Sequence, residues 1–569
     1  MSSARASARP DIPAELLEMI FSHLDDKSNA SNALVSVKWS TLALNILWRT
    51  LTDLSRLFGI LQPLFKVGAE KDDPYAWRVS PDASDWQRLD RYSKRVRRLI
   101  FDADACSLPL EATVFEDASR TRTSLAILPN LVHLDWRAPL PLSMMFMTPN
   151  VKSFVLWIPE TDITSLRSYF RDVTTRMPNL TVVDVHTIVP MHKIEDDMVF
   201  LLGNLPKLRK AVFPRYHLTT RVAETLSLLE SLGTVEFQYH ADQGFGAPED
   251  TTGVFQPKLQ LGAFPSLYDM STTITLGDAV ALMKQTFAPT NLTALYIDSP
   301  LMESPAIVQE LLEHLGQCCQ LLETLGILTL IEDKDAARLA DVPAENRINF
   351  SHLRSLLLFP NLAMFELIHQ NPLDLTLEDL QQLAQSWPSL RKLILNNEPA
   401  ILDRCPLTLD ALLPFARHCR ELEHLGMFVN ASSADIPSTY AATFQIKPFA
   451  RLRRLSMGTS IISEPGQVAL FLSQICPKNT ALDCGVTWDH ASSDNEEAIE
   501  RYELIAERCE RWSKVEELLP LMTQLRAEER DRTRLLTNEV NDLRMRSSVM
   551  MDTLRKGTAA SSGDSCIPL

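Results

Sequence analysis

The chain has 569 residues, 45% hydrophobic and 22% charged, a composition that buries a large core and excludes wholesale disorder. Lys and Arg total 56 against 72 Asp and Glu, a formal charge of −16, so the average surface repels a phosphate backbone and nucleic acid is excluded as the main partner. No stretch reaches the roughly 18 apolar residues of a membrane span, and MSSARASARP has no apolar signal core; we expect no membrane, no secretion, and a cytoplasmic or nuclear location.

At roughly 150 residues per domain the length admits about four domains or one long repeat array. The nine cysteines stand singly except Cys318 and Cys319. That pattern makes neither a disulfide framework nor a zinc site and points to a reduced compartment. His314 with Cys318 and Cys319 reads either as a ligand cluster or as buried helix-end thiols, and no cofactor is expected.

After a disordered tail at 1–10, the first informative segment is 11–51. In DIPAELLEMIFSHL, Pro13 opens a helix where its missing N–H costs nothing, and Leu16, Leu17, Ile20, Phe21 and Leu24 form one broad apolar face. The polar break DDKSNASN supplies turn and capping residues. ALVSVKWSTLALNILWRTL then repeats helical spacing through Leu34, Val35, Trp39, Leu42, Ile46 and Leu47. So few short helices cannot build a core alone; they pack on the rest of the chain or offer an apolar face to another protein.

The series Ile12-Pro13-x-Glu15-Leu16-Leu17-x-x-Ile20-Phe21-x-x-Leu24, then Leu34-Val35-Ser36-Val37-Lys38-Trp39 and Leu47-Trp48-Arg49, resembles an F-box, particularly the fungal kind. Val37 departs from the Cys of many F-boxes. The resemblance implies that a Skp-type adaptor binds through Ile12, Pro13, Leu16, Leu17, Ile20, Phe21, Leu24, Leu34, Val35, Trp39 and Leu47, and that the adaptor brings a cullin and a RING subunit. Trp48 is the alternative anchor to the following domain.

Residues 52–95 read as a linker helix and an irregular insertion, since Lys71–Arg91 shows no clear period. Lys94, Arg95, Arg97 and Arg98 suggest an anion site or, more simply, a solvated turn.

From 96 to 490 the chain repeats L-x-x-L-x-L, often entered through P-x-L, with units opening at Val96, Leu131, Val151, Leu180, Leu208, Leu232, Leu267, Leu292, Leu322, Leu353, Leu390, Leu422, Leu452 and Asn479. Helical stretches with Ser, Thr or Asp caps lie between many of them, for example TTRVAETLSLLESL and TLEDLQQLAQSW. A strand and a helix per unit cannot bury both faces alone, so neighbours stack. We expect an α/β fold: a short all-α F-box, then a solenoid of parallel strands on a concave face with helices outside, then a long C-terminal helix. This resembles irregular leucine-rich repeats, in which only Asn361 and Asn430 fit the Asn ladder.

At the middle x of L-x-L, which faces the concave surface in such repeats, stand Ile100, Val155, Val212, Tyr296, Leu357 and Ile394, joined by Trp157 and Phe359. This apolar inner face is a partner surface, with Trp157, Tyr296, Leu357, Phe359 and Ile394 as candidate substrate contacts, or it is covered by a loop or the C-terminal segment. Insertions at 241–265, 333–350 and 430–448 offer further contacts or are ornament.

Residues 495–556 place Val515, Leu518, Met522, Leu525, Leu536, Leu543, Met550 and Leu554 near 3/4 spacing. A long amphipathic helix or weak coiled coil is expected, kinked at Pro520, that docks on the solenoid or self-associates. The tail, 557–569, reads as disordered and ends in a formal C-a-a-X box at Cys566. No phosphate loop, nucleotide fingerprint, nucleophile elbow or zincin motif occurs. The expected function is therefore non-catalytic: the substrate-recognition subunit of a Skp–cullin–F-box ubiquitin ligase with an unknown protein substrate, or a repeat scaffold that uses the F-box for assembly without ubiquitination.

Overall fold

The computed structural model describes residues 12–70, 73–160, 166–238, 242–329, 347–402, 405–432, 447–487 and 496–560. The tails at 1–10 and 557–569, including Cys566, and most of the insertions at 333–350 and 430–448 lie outside the described residues or at their margin. The chain divides into two compact units, Met1–Pro300 with Glu313–Leu322 and Leu301–Leu312 with Glu323–Leu569.

Three helices open the first unit: α1 (Ala14–Ser22), α2 (Asp26–Asn32) and α3 (Val37–Leu47). The polar run expected as a turn is α2. Its helix is polar on nearly every side, so no apolar period marks it. It starts because Asp25 accepts from the Ser28 amide, and it is held by the buried Asn29. Ser36 caps α3 by accepting from the Trp39 amide.

Nine parallel strands follow in chain order within this unit: Thr50–Leu51, Arg98–Asp102, His133–Arg137, Ser153–Trp157, Val182–His186, Lys210–Phe213, Thr234–Phe237, Asp269–Thr272 and Ala294–Asp298. The second unit has six: Thr324–Leu328, Met364–Ile368, Lys392–Leu395, His424–Met427, Arg454–Gly458 and Ala481–Cys484. Thirteen of the fourteen expected openings lie two residues before a strand. In each the leucines point into the core, as Leu131, Leu134 and Trp136 do.

One hydrogen-bond pattern recurs from strand to strand. The Arg97 carbonyl accepts from both Val132 and His133, that of Val132 from Lys152 and Ser153, and that of Lys152 from Thr181 and Val182. In the second unit the carbonyls of Ala363, Arg391 and Glu423 do the same. A carbonyl has two lone pairs, so each repeat fixes the next with both.

The tenth repeat differs from expectation. Leu353 and Leu356 belong to the short helices Phe350–Leu353 and Arg354–Leu358, and the strand Met364–Ile368 is opened by Leu362. Two overlapping apolar triplets compete here, and the P-N-L at 360–362 wins because the Asn349 cap closes the preceding residues into a helical turn. Asn361 therefore leaves the ladder position.

Residues 52–95 are more ordered than an irregular insertion. They hold the helix Leu54–Leu61, the hairpin Leu64–Lys66 with Tyr75–Trp77, and the helix Ala83–Ser93, started by an Asp82/Asp85 capping box. Trp86 and Leu89 bury its one apolar face. Three of the four basic residues are spent locally: Lys94 pairs with Asp90, Arg95 donates to the Thr41 carbonyl, and Arg97 donates to that of Asn130.

The C-terminal helix, Glu496–Ala560, is continuous through Pro520. Its first half docks against the helix Pro465–Ile475 and the last strand. Trp512, wholly buried, donates to the Ser460 carbonyl at 2.9 Å, and Arg508 donates to the carbonyls of Thr459 and Leu402.

Candidate protein-docking site

The N-terminal helices carry two apolar stripes with different fates. Leu17 and Phe21, one turn apart on α1, are 2% exposed and pack with Ala43, Trp39, Leu42 and Ile46 of α3. The Phe21 and Trp39 rings meet edge to face at 5.2 Å. Asn29 donates from its side chain to the carbonyls of Phe21 and Leu24, tying α2 to the end of α1.

On the adjacent face of α1, Leu16, Met19, Ile20 and Leu24 are exposed, as are Ile12 and Pro13 before it. Leu34 is 89% exposed and Val37 86%, with Val35 between them. Lys38 reaches back to the Ile12 carbonyl at 2.7 Å, which sets the start of α3 beside the start of α1. So many aliphatic side chains left in water on three short helices mark this face as a candidate contact surface.

The eleven expected adaptor residues thus separate. Ile12, Pro13, Leu16, Ile20, Leu24, Leu34 and Val35 face solvent; Leu17 and Phe21 form the helices' own core; Trp39 and Leu47 are half-buried. Met19 and Val37 join the exposed face and were not in that set. The helical period could have found Met19, three residues after Leu16, but Val37 follows a turn that no period spans. Trp48 stacks on Tyr92 at 4.9 Å under the Arg56 guanidinium, so it fixes these helices to the next part of the chain.

The inner face of the sheet is less apolar than expected. In the first unit the strand register places Ile100, Asp135, Val155, Asp184, Val212 and Glu236 in one row. The three acids fall on strands whose middle residue was not among the apolar ones. Trp157 lies half-buried in a stack across three strands, with the Arg137 guanidinium 4.6 Å from its ring and the His186 ring 4.0 Å away. Its indole N–H donates to Asp135 at 2.9 Å. Burial pushes the Asp135 carboxyl up, and the Trp157 hydrogen bond opposes the shift. Gln243, from the insertion at 241–265, donates to Asp184, so this loop covers part of the face.

The other candidate contacts do not assemble. Tyr296 is half-buried on the strand Ala294–Asp298, separated from Trp157 by four intervening strands of the same unit. Leu357 is in a short helix, not on a strand. Phe359 is 1% exposed and belongs to the core, because the true register starts at Leu362. Ile394 does stand on its strand but is 4% exposed, folded over Gly426, where a Cβ would lie 2.6 Å from its terminal methyl. Its register neighbour Glu366 pairs with Lys392 at 2.6 Å.

Among the described residues no group of three or more His, Cys, Asp and Glu is placed to hold a metal ion. His314 bonds the Met283 carbonyl, and Cys319 is buried. No described helix is long and apolar enough to cross a membrane.

Comparison with known proteins adds the following. No curated protein matches the chain. Among solved structures it is similar to the Rad7 and Elc1 complex of yeast, at 15% identity over 76% of this chain and 91% of that one, with a TM-score of 0.37. It is also similar to the TLR13–ssRNA13 complex, at 13% identity over 72% and 59%, with a TM-score of 0.25. Residues 10–53 match the F-box-like family, so α1 to α3, with their exposed aliphatic face, are an F-box-like domain.

Proposed function

We propose that the protein is a substrate-recognition subunit of a Skp–cullin–F-box ubiquitin ligase. The carrying observation is the aliphatic face of Leu16, Met19 and Ile20, left in water beside a stripe that the same helix buries. A Skp-type adaptor docks on that face together with Ile12, Pro13, Leu24, Leu34 and Val35, while Leu17 and Phe21 shape it from beneath. The cullin and RING subunits join through the adaptor, and the chain itself does no chemistry. The repeats of residues 96–490 recruit a protein substrate, and the inner face around Trp157 is the best candidate for that contact because it sets a half-buried aromatic among carboxylates.

Leu16→Asp with Ile20→Asp puts two charges into a desolvated contact and should abolish adaptor copurification while the repeat region keeps its melting transition. Unchanged adaptor recovery would refute the assignment. Cullin copurification separates the ligase from a scaffold that uses the same domain only for assembly. Trp157→Ala should lose substrate proteins trapped under proteasome inhibition while adaptor and cullin remain bound.

A further inference from the structure

The C-terminal helix changes surroundings along its length. Ile505, Trp512, Val515 and Leu519 are buried, and Arg526 still donates to the Ser473 hydroxyl at 2.6 Å. Beyond Arg530 every residue to Thr553 is exposed except the half-exposed Asp542. A helical segment of this length without packing is marginal in water, since helices in proteins draw most of their stability from an amphipathic face laid on something else.

This segment has such a face. Leu536, Val540, Leu543 and Met550 recur at alternating spacings of four and three residues once Ser547 is included, and they are 53%, 45%, 55% and 69% exposed. That is a heptad seam with Val540 and Ser547 at a, and Leu536, Leu543 and Met550 at d. A β-branched residue at a with Leu at d selects two parallel strands. The flanks agree: Glu539 falls at g and Arg544 at the following e, five residues on. In a parallel pair each Glu539 therefore faces Arg544 of the other copy, twice by symmetry. The seam is broken nearer the body by Arg526, Glu529 and Thr533, so pairing starts only where the helix has left its own chain.

We propose that residues 536–553 form a parallel two-stranded coiled coil with a second copy of this chain. The inference is independent of the ligase reading, which concerns the opposite terminus.

Sedimentation velocity of the full-length protein across a concentration series should show a monomer–dimer equilibrium. Leu536→Asp with Leu543→Asp should leave monomer, with adaptor recovery and the burial of Trp512, read by its fluorescence, unchanged. Glu539→Arg should raise the dissociation constant several-fold by facing two arginines, and adding Arg544→Glu should restore it. Ser547→Cys should give a disulfide-linked dimer on oxidation that wild type does not, because a positions meet their own copies only in a parallel pair. A wild type that is monomeric at every concentration overturns the proposal. So does a dimer indifferent to the Asp pair, which would be held by another surface, and failure of the charge reversal and the Cys link together would overturn the parallel register.

Discussion

The side-chain amide of Asn29 donates to the main-chain carbonyl of Phe21 across 2.9 Å, beside the small core that α1 shares with α3. Phe21 is the penultimate residue of α1, where helical carbonyls lack partners within the helix. One polar side chain thereby completes α1 and anchors α2, which has almost no apolar surface to hold it. Asn29→Ala should leave the Phe21 carbonyl with the Leu24 amide alone, at 3.1 Å, take the side-chain donor from the Leu24 carbonyl, and cost about 1 kcal/mol. Hydrogen exchange should show α2 losing protection while the strands keep theirs; uniform protection would mean that α2 is held by other contacts.

The two stripes of α1 make opposite demands on mutation. Phe21→Ala removes a buried ring and should cost about 3–5 kcal/mol. Leu16→Ala and Ile20→Ala remove exposed groups and should change the melting temperature little. In an adaptor pull-down the order should differ, with Leu16→Ala and Ile20→Ala weakening a domain that remains folded. Equal thermal costs for Leu16 and Leu17 would contradict the assignment of faces.

The register of the tenth repeat can be tested by stability alone. Leu362→Ala should cost about 2–5 kcal/mol, because Leu362 opens the strand and is 1% exposed. Leu357→Ser, on a half-exposed helical turn, should cost far less. Phe359→Ser, which removes a ring only 1% exposed, should cost at least as much as Leu362→Ala. The opposite order would return the strand to the frame that starts at Leu353.

A buried acid gives the second unit a pH dependence. Glu398 occupies the place of the ladder Asn and accepts from the Thr487 hydroxyl at 2.8 Å. Burial, helped by Glu366, pushes its carboxyl from 4.5 up to about 7, while the Thr487 hydrogen bonds oppose the rise. The folded chain holds this proton more tightly than the unfolded one. The stabilisation is therefore complete below about pH 4.5 and lost as pH rises through 7, about 3 kcal/mol at most. Glu398→Gln keeps an acceptor for Thr487 without the charge. Its melting temperature should match wild type at pH 5 and exceed it at pH 8, and identical curves at both would show that Glu398 is ionised at no cost.

Much of this architecture is legible in the residues because a solenoid writes its period into the chain. An apolar residue two positions before nearly every strand, and a capping Thr before the helices that start at Thr220, Leu276 and Leu377, are local signals with local causes. Failures occurred where two local signals overlapped. Leu353 and Leu362 both open acceptable triplets, and only the helical turn between them decides. The site was legible in outline and not in orientation. Leu16 and Leu17 are indistinguishable by composition, and which of them faces water depends on where Trp39 and Ala43 pack, a contact between distant residues. The inner face failed differently: selecting apolar middle residues conceals the acids on the strands between them.

The strand Thr50–Leu51 starts three residues after the end of α3 and pairs with Arg98 and Leu99, and the Arg49 carbonyl accepts from both Arg97 and Arg98. The pairing that joins one repeat to the next thus also joins the F-box-like helices to the first of them. These helices are the opening coil of the solenoid, not a bead on a tether. A protein docked on Leu16 and Ile20 is held at a fixed angle to Trp157, and the strand register sets that angle. Exchange of residues 1–51 for a foreign F-box would preserve docking and lose the aim unless the graft also supplied a strand in register with Arg98.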